Sequence, residues 1–214
     1  MKVFSSWSGG KECALATYRA ISQGHEVLYL LNFISEDGER SRSHGIKANV
    51  LALQAQAIGI PLIQVKTSWE DYEEKFREIV RELKSKGIEG GVFGDMDVEE
   101  HREWVERVCR EVGIRASLPL WGMKPDELIE ELLELRFKAM VVATRLDENL
   151  LGKVLDKALV KQISQLGSHP CGENGEYHTF VTGGPIFKKP FKVTQRENKQ
   201  IDNMWFCQLS PEPQ

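Results

Sequence analysis

The chain has 214 residues, 41% of them hydrophobic and 28% charged, with 28 basic against 32 acidic side chains and a formal net charge of −4. That length allows one large domain or one domain with a small appendage, and the composition is that of a folded chain, not a disordered one. A net negative charge excludes nucleic-acid binding through bulk charge; no apolar run approaches the ~20 residues of a bilayer span, and Val3-Phe4 is too short for a signal peptide's apolar core, so the expected location is the cytoplasm, with no membrane partner.

The first strand is expected at 2–6, closed by Ser8-Gly9-Gly10. Apolar residues at helical spacing follow over 11–23, and Gly24 stops them. The mostly apolar run 25–34 reads as a strand covered on both faces. The pattern repeats with a helix at 47–58 ended by Gly59, a strand at 61–65 and a charged helix at 69–86. That helix puts Tyr72, Phe76, Ile79, Val80 and Leu83 on one face. A short strand at 90–93 precedes a helix at 99–112 with Trp104, Val105, Val108 and Val112 inward. Another helix runs from Pro125 to Leu135, then a strand at 137–144 and a helix at 156–166.

Alternating strands and helices imply an α/β fold with about five parallel strands, the run at 137–144 counted as the fifth, and helices on both faces. After Gly167 the texture changes to Gly, Pro, Lys and β-formers as far as Pro213. Antiparallel strands are expected at 179–181, 191–195 and 204–208, forming a small C-terminal subdomain. Cys13, Cys109, Cys171 and Cys207 contain no Cys-x-x-Cys pair, so neither a zinc ribbon nor a dithiol redox motif is indicated.

The segment Ser5-Ser6-Trp7-Ser8-Gly9-Gly10-Lys11-Glu12-Cys13 links the first strand to the first helix. Open α/β sheets bind ligands at the carboxyl ends of their strands, and a helix N-terminus offers free N–H groups at the positive end of its dipole. Glycines allow close backbone approach and Lys11 adds a cation, so the expected ligand is a phosphate. A Walker loop is excluded, because Ser5 stands where it needs Gly and Glu12 where it needs Ser or Thr. The segment resembles the PP-loop of N-type ATP pyrophosphatases, Ser-Gly-Gly-Lys-Asp-Ser, with Glu12 for Asp and Cys13 for Ser.

Other polar groups gather at strand ends. Gly94-Asp95-Met96-Asp97 follows the fourth strand, where two carboxylates can hold Mg²⁺ or order a substrate; Asp97 also suits a helix cap before Glu99 and Glu100. In Ser41-Arg42-Ser43-His44-Gly45, His44 is placed either beside a nucleotide base or in an exposed loop. Lys153, in the loop after the run 137–144, is either a phosphate ligand or a solvated lysine. His169-Pro170-Cys171-Gly172-Glu173-Asn174-Gly175-Glu176-Tyr177-His178-Thr179 is the densest cluster and fits acid–base groups better than a zinc site.

Taken in order, the PP-loop, Gly94-Asp95, Leu151-Gly152-Lys153 and the segment from Gly172 to Thr179 resemble the diphthine–ammonia ligase family of ATP-binding proteins. The resemblance implies a HUP-type adenine-nucleotide domain over 1–120 and a substrate region over 121–214. It implies adenylation of a carboxylate by ATP, release of pyrophosphate, and attack of ammonia on the acyl-adenylate. The implied nucleotide contacts are Ser6, Ser8, Gly9, Gly10, Lys11, Glu12, Cys13, His44, Gly94, Asp95 and Lys153, with Mg²⁺ spreading the triphosphate charge. The implied acceptor contacts are Glu173, Asn174, Gly175, Glu176, His178 and Thr179, and the catalytic groups are Lys11, Glu173, Glu176 and His178. The family usually reads Gly-Glu-Gly-Gly-Glu-Phe/Tyr-Glu-Thr here, whereas this chain has Asn174 for a Gly and His178 for a Glu. The acceptor implied is diphthine on a translation elongation factor, and a homodimer is left open. A cobalamin-pathway or other small carboxylate, a tRNA-modifying PP-loop enzyme and a non-catalytic nucleotide sensor are the alternatives. Nucleic acid is the least expected partner, given the net charge and the absence of paired cysteines.

Overall fold

Val3, Phe4 and Ser5 are all fully buried, so the first strand, β1 (Lys2–Ser6), has both faces covered and must lie inside a sheet. The computed structural model describes residues 1–42 and 44–212; Ser43 of the expected His44 loop and Pro213 lie outside the described residues. Four further parallel strands flank β1: β2 (Glu26–Ile34), β3 (Leu62–Lys66), β4 (Gly90–Val92) and β5 (Arg115–Ser117). Their order is β3-β2-β1-β4-β5, and every neighbouring pair is parallel.

Helices cover both faces, as the alternation requires. One face carries α1 (Lys11–Ser22) and α2 (Ala48–Ile58), whose Leu15, Ala16, Leu51 and Ile58 pack on Val3 and Leu30. The other carries α3 (Tyr72–Ser85) and α4 (Glu99–Val112), which bury Phe76, Val80, Leu83, Val105 and Val108 against Phe4, Leu31 and Phe93. Glu73 clamps these two helices: its carboxylate accepts from Trp104 Nε1 at 2.6 Å and Arg107 Nη2 at 2.7 Å, and also pairs with Arg77. Those donors, Arg107 first, hold its carboxyl down at about 2.

The remaining elements are α5 (Pro125–Glu134), β6 (Lys138–Thr144), α6 (Lys157–Gln165), β7 (Tyr177–Gly183), β8 (Val193–Ile201) and β9 (Met204–Pro211). The last four strands form an antiparallel sheet in the order β7-β6-β9-β8. This corrects one expectation. The strand at 137–144 is not the fifth of the parallel sheet; three residues, Arg115–Ser117, fill that position. Such a short edge strand carries too little apolar periodicity to stand out in a sequence.

The second sheet packs on the α1–α2 side and shares its core through Val141, Tyr177, Phe180 and Cys207. Polar bonds stitch the two sheets together. Val181 N–H donates to Gly9 O at 2.8 Å. The fully buried Gln54 amide donates to Val181 O (2.6 Å) and Gly9 O (3.2 Å) while accepting from Trp7 Nε1 (3.0 Å). Among the described residues no helix is long and apolar enough to cross a membrane.

Candidate functional site

The strand order reverses between β1 and β4, so their carboxyl ends open a crevice of the kind where open α/β sheets bind ligands. Gly9 leaves β1 at φ +84°, a conformation that favours glycine, and turns the chain into α1. Gly94 leaves β4 against that turn. A Cβ on Gly94 would stand 2.9 Å from both the Cys13 nitrogen and the Glu12 carbonyl carbon, so only glycine lets the two loops approach so closely.

A cavity of about 310 Å³ occupies this crevice. The β1–α1 loop supplies Ser6, Ser8, Lys11, Glu12 and Cys13; the edge after β4 supplies Gly94 and Asp95. The opposite wall is the segment before and into β7, with Cys171, Gly172, Glu173, Gly175, Tyr177 and His178, and His44 closes one side. Most residues singled out in the sequence therefore converge here from four separate stretches of chain.

Lys11 is only 2% exposed. Its ammonium donates to Cys171 O at 2.6 Å, pairs with Glu12, and lies 4.7 Å from the centre of the Tyr177 ring. Burial alone would lower its pKa, but Glu12 together with Tyr177 and Cys171 outweighs that and raises it. Two amides of the loop are also engaged: Lys11 N–H donates to Thr179 Oγ1 (3.1 Å) and Gly10 N–H to Ser8 Oγ (3.3 Å). The loop is thus held by the second sheet and not left as an open cradle.

Acidic groups face the loop. Burial, and then the carboxylates of Glu12, Asp97 and Asp95, push the Glu173 carboxyl well above the usual carboxylate range, although Lys11 pulls the other way. Asp95 pairs with His101 Nδ1 at 3.3 Å and so raises that imidazole's pKa. Asp97 lies 3.5 Å from His169 Nε2, while His169 Nδ1 accepts from Cys171 N–H at 3.2 Å. Asp97 is not the helix cap: that position is Val98, with no side-chain cap bond. Mutual repulsion among hard oxygen donors is a setting that a divalent cation relieves. No group of three or more ligating side chains stands close enough to hold a metal unaided among the described residues. One or two carboxylates completed by phosphate oxygens and water is the usual arrangement for Mg²⁺, and Glu12 and Asp95 fit it.

The His178 and His44 rings stand 4.5 Å apart. Burial, then the Lys11 charge, pushes the His178 pKa down to about 4; burial, then His178 and Lys11, holds His44 well below its usual value. Both are neutral near pH 7, able to accept or donate one hydrogen bond but carrying no charge. Cys13 and Cys171 are buried thiols with raised pKa values, so neither is a ready nucleophile.

Several expected contacts lie elsewhere. Lys153 is exposed and lines no part of the cavity. Its loop folds back on β6, where Val141 N–H donates to Lys153 O at 2.8 Å, and β6 does not belong to the parallel sheet. Gly9 and Gly10 belong to the turn but line no part of the cavity, nor does Thr179, and Asn174 is exposed. Glu176 braces its own turn: it accepts from the N–H groups of His169 and Asn174, each at 3.0 Å, and from Asn174 Nδ2 at 3.2 Å. Partial burial opposes its charge, but these donors prevail and lower its pKa. His101 was missed in the sequence; its only signal is a place in the first turn of α4, beside Asp95.

The sequence profile of the diphthamide synthase N-terminal domain matches residues 1–116, and that of the diphthamide synthase C-terminal domain matches residues 124–211. The Schizosaccharomyces pombe protein named diphthine–ammonia ligase is 29% identical over 98% of this chain, which spans 39% of that protein. The human protein of the same name is also 29% identical, over 92% of this chain and 84% of its own length. A solved structure described as a predicted subunit of tRNA methyltransferase from Methanocaldococcus jannaschii has 16% identity and a TM-score of 0.48. It covers 86% of this chain and 98% of that one, a likeness too loose to carry an argument.

Proposed function

Because this chain belongs to the diphthamide synthase family, we propose that it is an ATP-dependent ligase that joins ammonia to a carboxylate, with diphthine on a translation elongation factor as the acceptor. The observation that supports this most directly is a single cavity walled on one side by the Ser8–Cys13 turn and on the other by Cys171, Glu173 and His178. A nucleotide and an acceptor could meet there only with both halves of the chain in place. In this reading residues 1–120 hold the nucleotide and 121–214 the acceptor.

The chemistry runs in two steps. A carboxylate oxygen of the acceptor bonds to the α-phosphorus of ATP as the α–β bridging P–O bond breaks, and pyrophosphate leaves with the electron pair. The nitrogen of ammonia then bonds to the carbonyl carbon of the acyl-adenylate, AMP leaves, and nitrogen releases one proton. In this reading the α1 N-terminus and the buried Lys11 charge face the phosphates and stabilise the departing pyrophosphate. Mg²⁺ held by Glu12 and Asp95 would offset the triphosphate charge. The Glu173 carboxyl is raised to about 8, so its ionised form is a stronger base than an ordinary carboxylate and is suited to take the proton from nitrogen. Neutral His178 and His44 can accept hydrogen bonds from ammonia without adding charge that would protonate it.

The experiment is to incubate the protein with ATP, Mg²⁺, ammonium and elongation factor carrying diphthine. AMP and pyrophosphate in equal amounts, matched by amide on the factor, are expected. Tight ATP binding with no AMP formed on this acceptor would defeat the reading.

A further inference from the structure

A second cavity, about 350 Å³, adjoins the first and shares one residue with it, His178. Its other walls are Arg145, at the end of β6, and the β8–β9 hairpin with Ile201, Asp202, Asn203, Met204 and Phe206. Arg145 stands at the partition, in the wall of the second cavity. Its guanidinium Nη2 stands 2.9 Å from where a Cβ on Gly175 would be, and Gly175 lines the first cavity. Arg145 N–H donates to Glu176 O at 3.0 Å, which anchors the backbone from which this exposed side chain reaches. No acidic side chain, Asp202 included, forms an ion pair with Arg145 among the described residues. The hairpin side adds apolar surface: Met204 and Phe206 face in, Phe206 packs over Gly45, and Ile201 at the rim is 58% exposed.

We propose that this second cavity seats the stem of the acceptor, and that Arg145 at the partition presents the acceptor's carboxylate to the first cavity. The guanidinium pairs with the carboxylate, the planar fork for which arginine is suited, and the stem lies along Met204 and Phe206. A carboxylate on that guanidinium lies beside Gly175 of the first cavity, where it can reach the nucleotide. The hairpin tip, with Asp202 at φ 52°, forms the rim over which the stem leaves, so the acceptor can be a free small acid or a long modified side chain of a folded protein. The reaction assigned to this acceptor rests on the ligase reading above; the binding site does not.

Two measurements separate the claims. The first titrates pentanoate into protein labelled with ¹³C at its methionine methyls, the Met204 signal being assigned with Met204→Leu. A saturable shift of Met204 is expected. It should weaken at least fivefold in Arg145→Ala, recover in part in Arg145→Lys, and be absent with pentylamine. An unmoved Met204 signal, or equal affinity in Arg145→Ala, overturns the site. The second follows AMP release with diphthine-bearing elongation factor. Arg145→Ala should raise the KM for the factor at least tenfold and leave the KM for ATP within twofold. An unchanged KM for the factor also overturns the site. Saturable pentanoate binding without turnover of the factor upholds the cavity, favours a free acid as its occupant, and refutes the diphthine assignment alone.

Discussion

The Lys11 ammonium donates to the Cys171 carbonyl oxygen at 2.6 Å, joining the opening helix to a turn 160 residues further along the chain. The same ammonium is paired with Glu12 and buried, so the charge beside the loop is fixed in place by the C-terminal half.

Lys11→Ala should therefore do more than remove a charge from the cavity wall. It leaves the Cys171 carbonyl and the Glu12 carboxylate without their partner. We expect a stability loss of about 3–5 kcal/mol, the usual cost of breaking a buried pair, together with loss of ATP turnover. Urea denaturation and AMP release check both; full stability with unchanged turnover would mean the buried ammonium has neither role.

Gly94→Ala should damage the site and spare most of the fold. The new methyl would stand 2.9 Å from the Cys13 nitrogen and force the two loops apart. Turnover should fall at least tenfold, with a far-ultraviolet dichroism spectrum like that of the parent. A kcat within twofold of the parent would show that the close approach is not needed.

His178 gives a signed pH dependence. Its pKa is lowered to about 4 in the fold, by burial first and then by Lys11, against an ordinary value of 6.5. Between those values the unfolded chain binds the proton more readily, so this group's contribution to stability falls as pH drops from 6.5 to 4. His178→Gln removes that contribution. The urea midpoint of the parent, relative to His178→Gln, should decline over that window by an amount equal to roughly 2 kcal/mol after allowance for solvent around the ring. A constant difference between the two proteins would refute a neutral His178.

The Glu73 clamp should matter to stability and not to turnover. Glu73→Ala breaks the bonds to Trp104 and Arg107 and loosens α3 from α4, at a cost of about 1–2 kcal/mol. Because its folded pKa is depressed to about 2, its contribution is complete above the ordinary value of 4.5 and is lost as pH falls towards 2. Thermal unfolding at pH 7 and pH 3 should show a gap between parent and variant that narrows with acid. An equal gap at both pH values would count against it.

The α-helices were legible because their periodicity and stops are local: Gly59 and Gly113 end α2 and α4 in left-handed conformations, as terminal glycines do. The turn that walls one side of the cavity was legible for the same reason, since a glycine-rich turn between a strand and a helix announces itself. β5 was not, because three residues at a sheet edge leave no pattern. Lys153 misled because its place was inferred from a strand assigned to the wrong sheet. Glu176 misled because residue type does not say whether a carboxylate faces a cavity or its own backbone. The second cavity was invisible to sequence, since Arg145, His178 and Phe206 become neighbours only through antiparallel pairing.

The Gln54 amide, bonded at once to Trp7, Gly9 and Val181, bears on how this protein can be taken apart. A fragment ending near residue 120 would keep the whole five-stranded sheet yet expose that amide and the apolar flank of α1 and α2 to water. Such a piece should aggregate when expressed alone. Swapping either half with a relative's should succeed only when the seam travels with it, so the two halves are bound to diversify as one inherited unit.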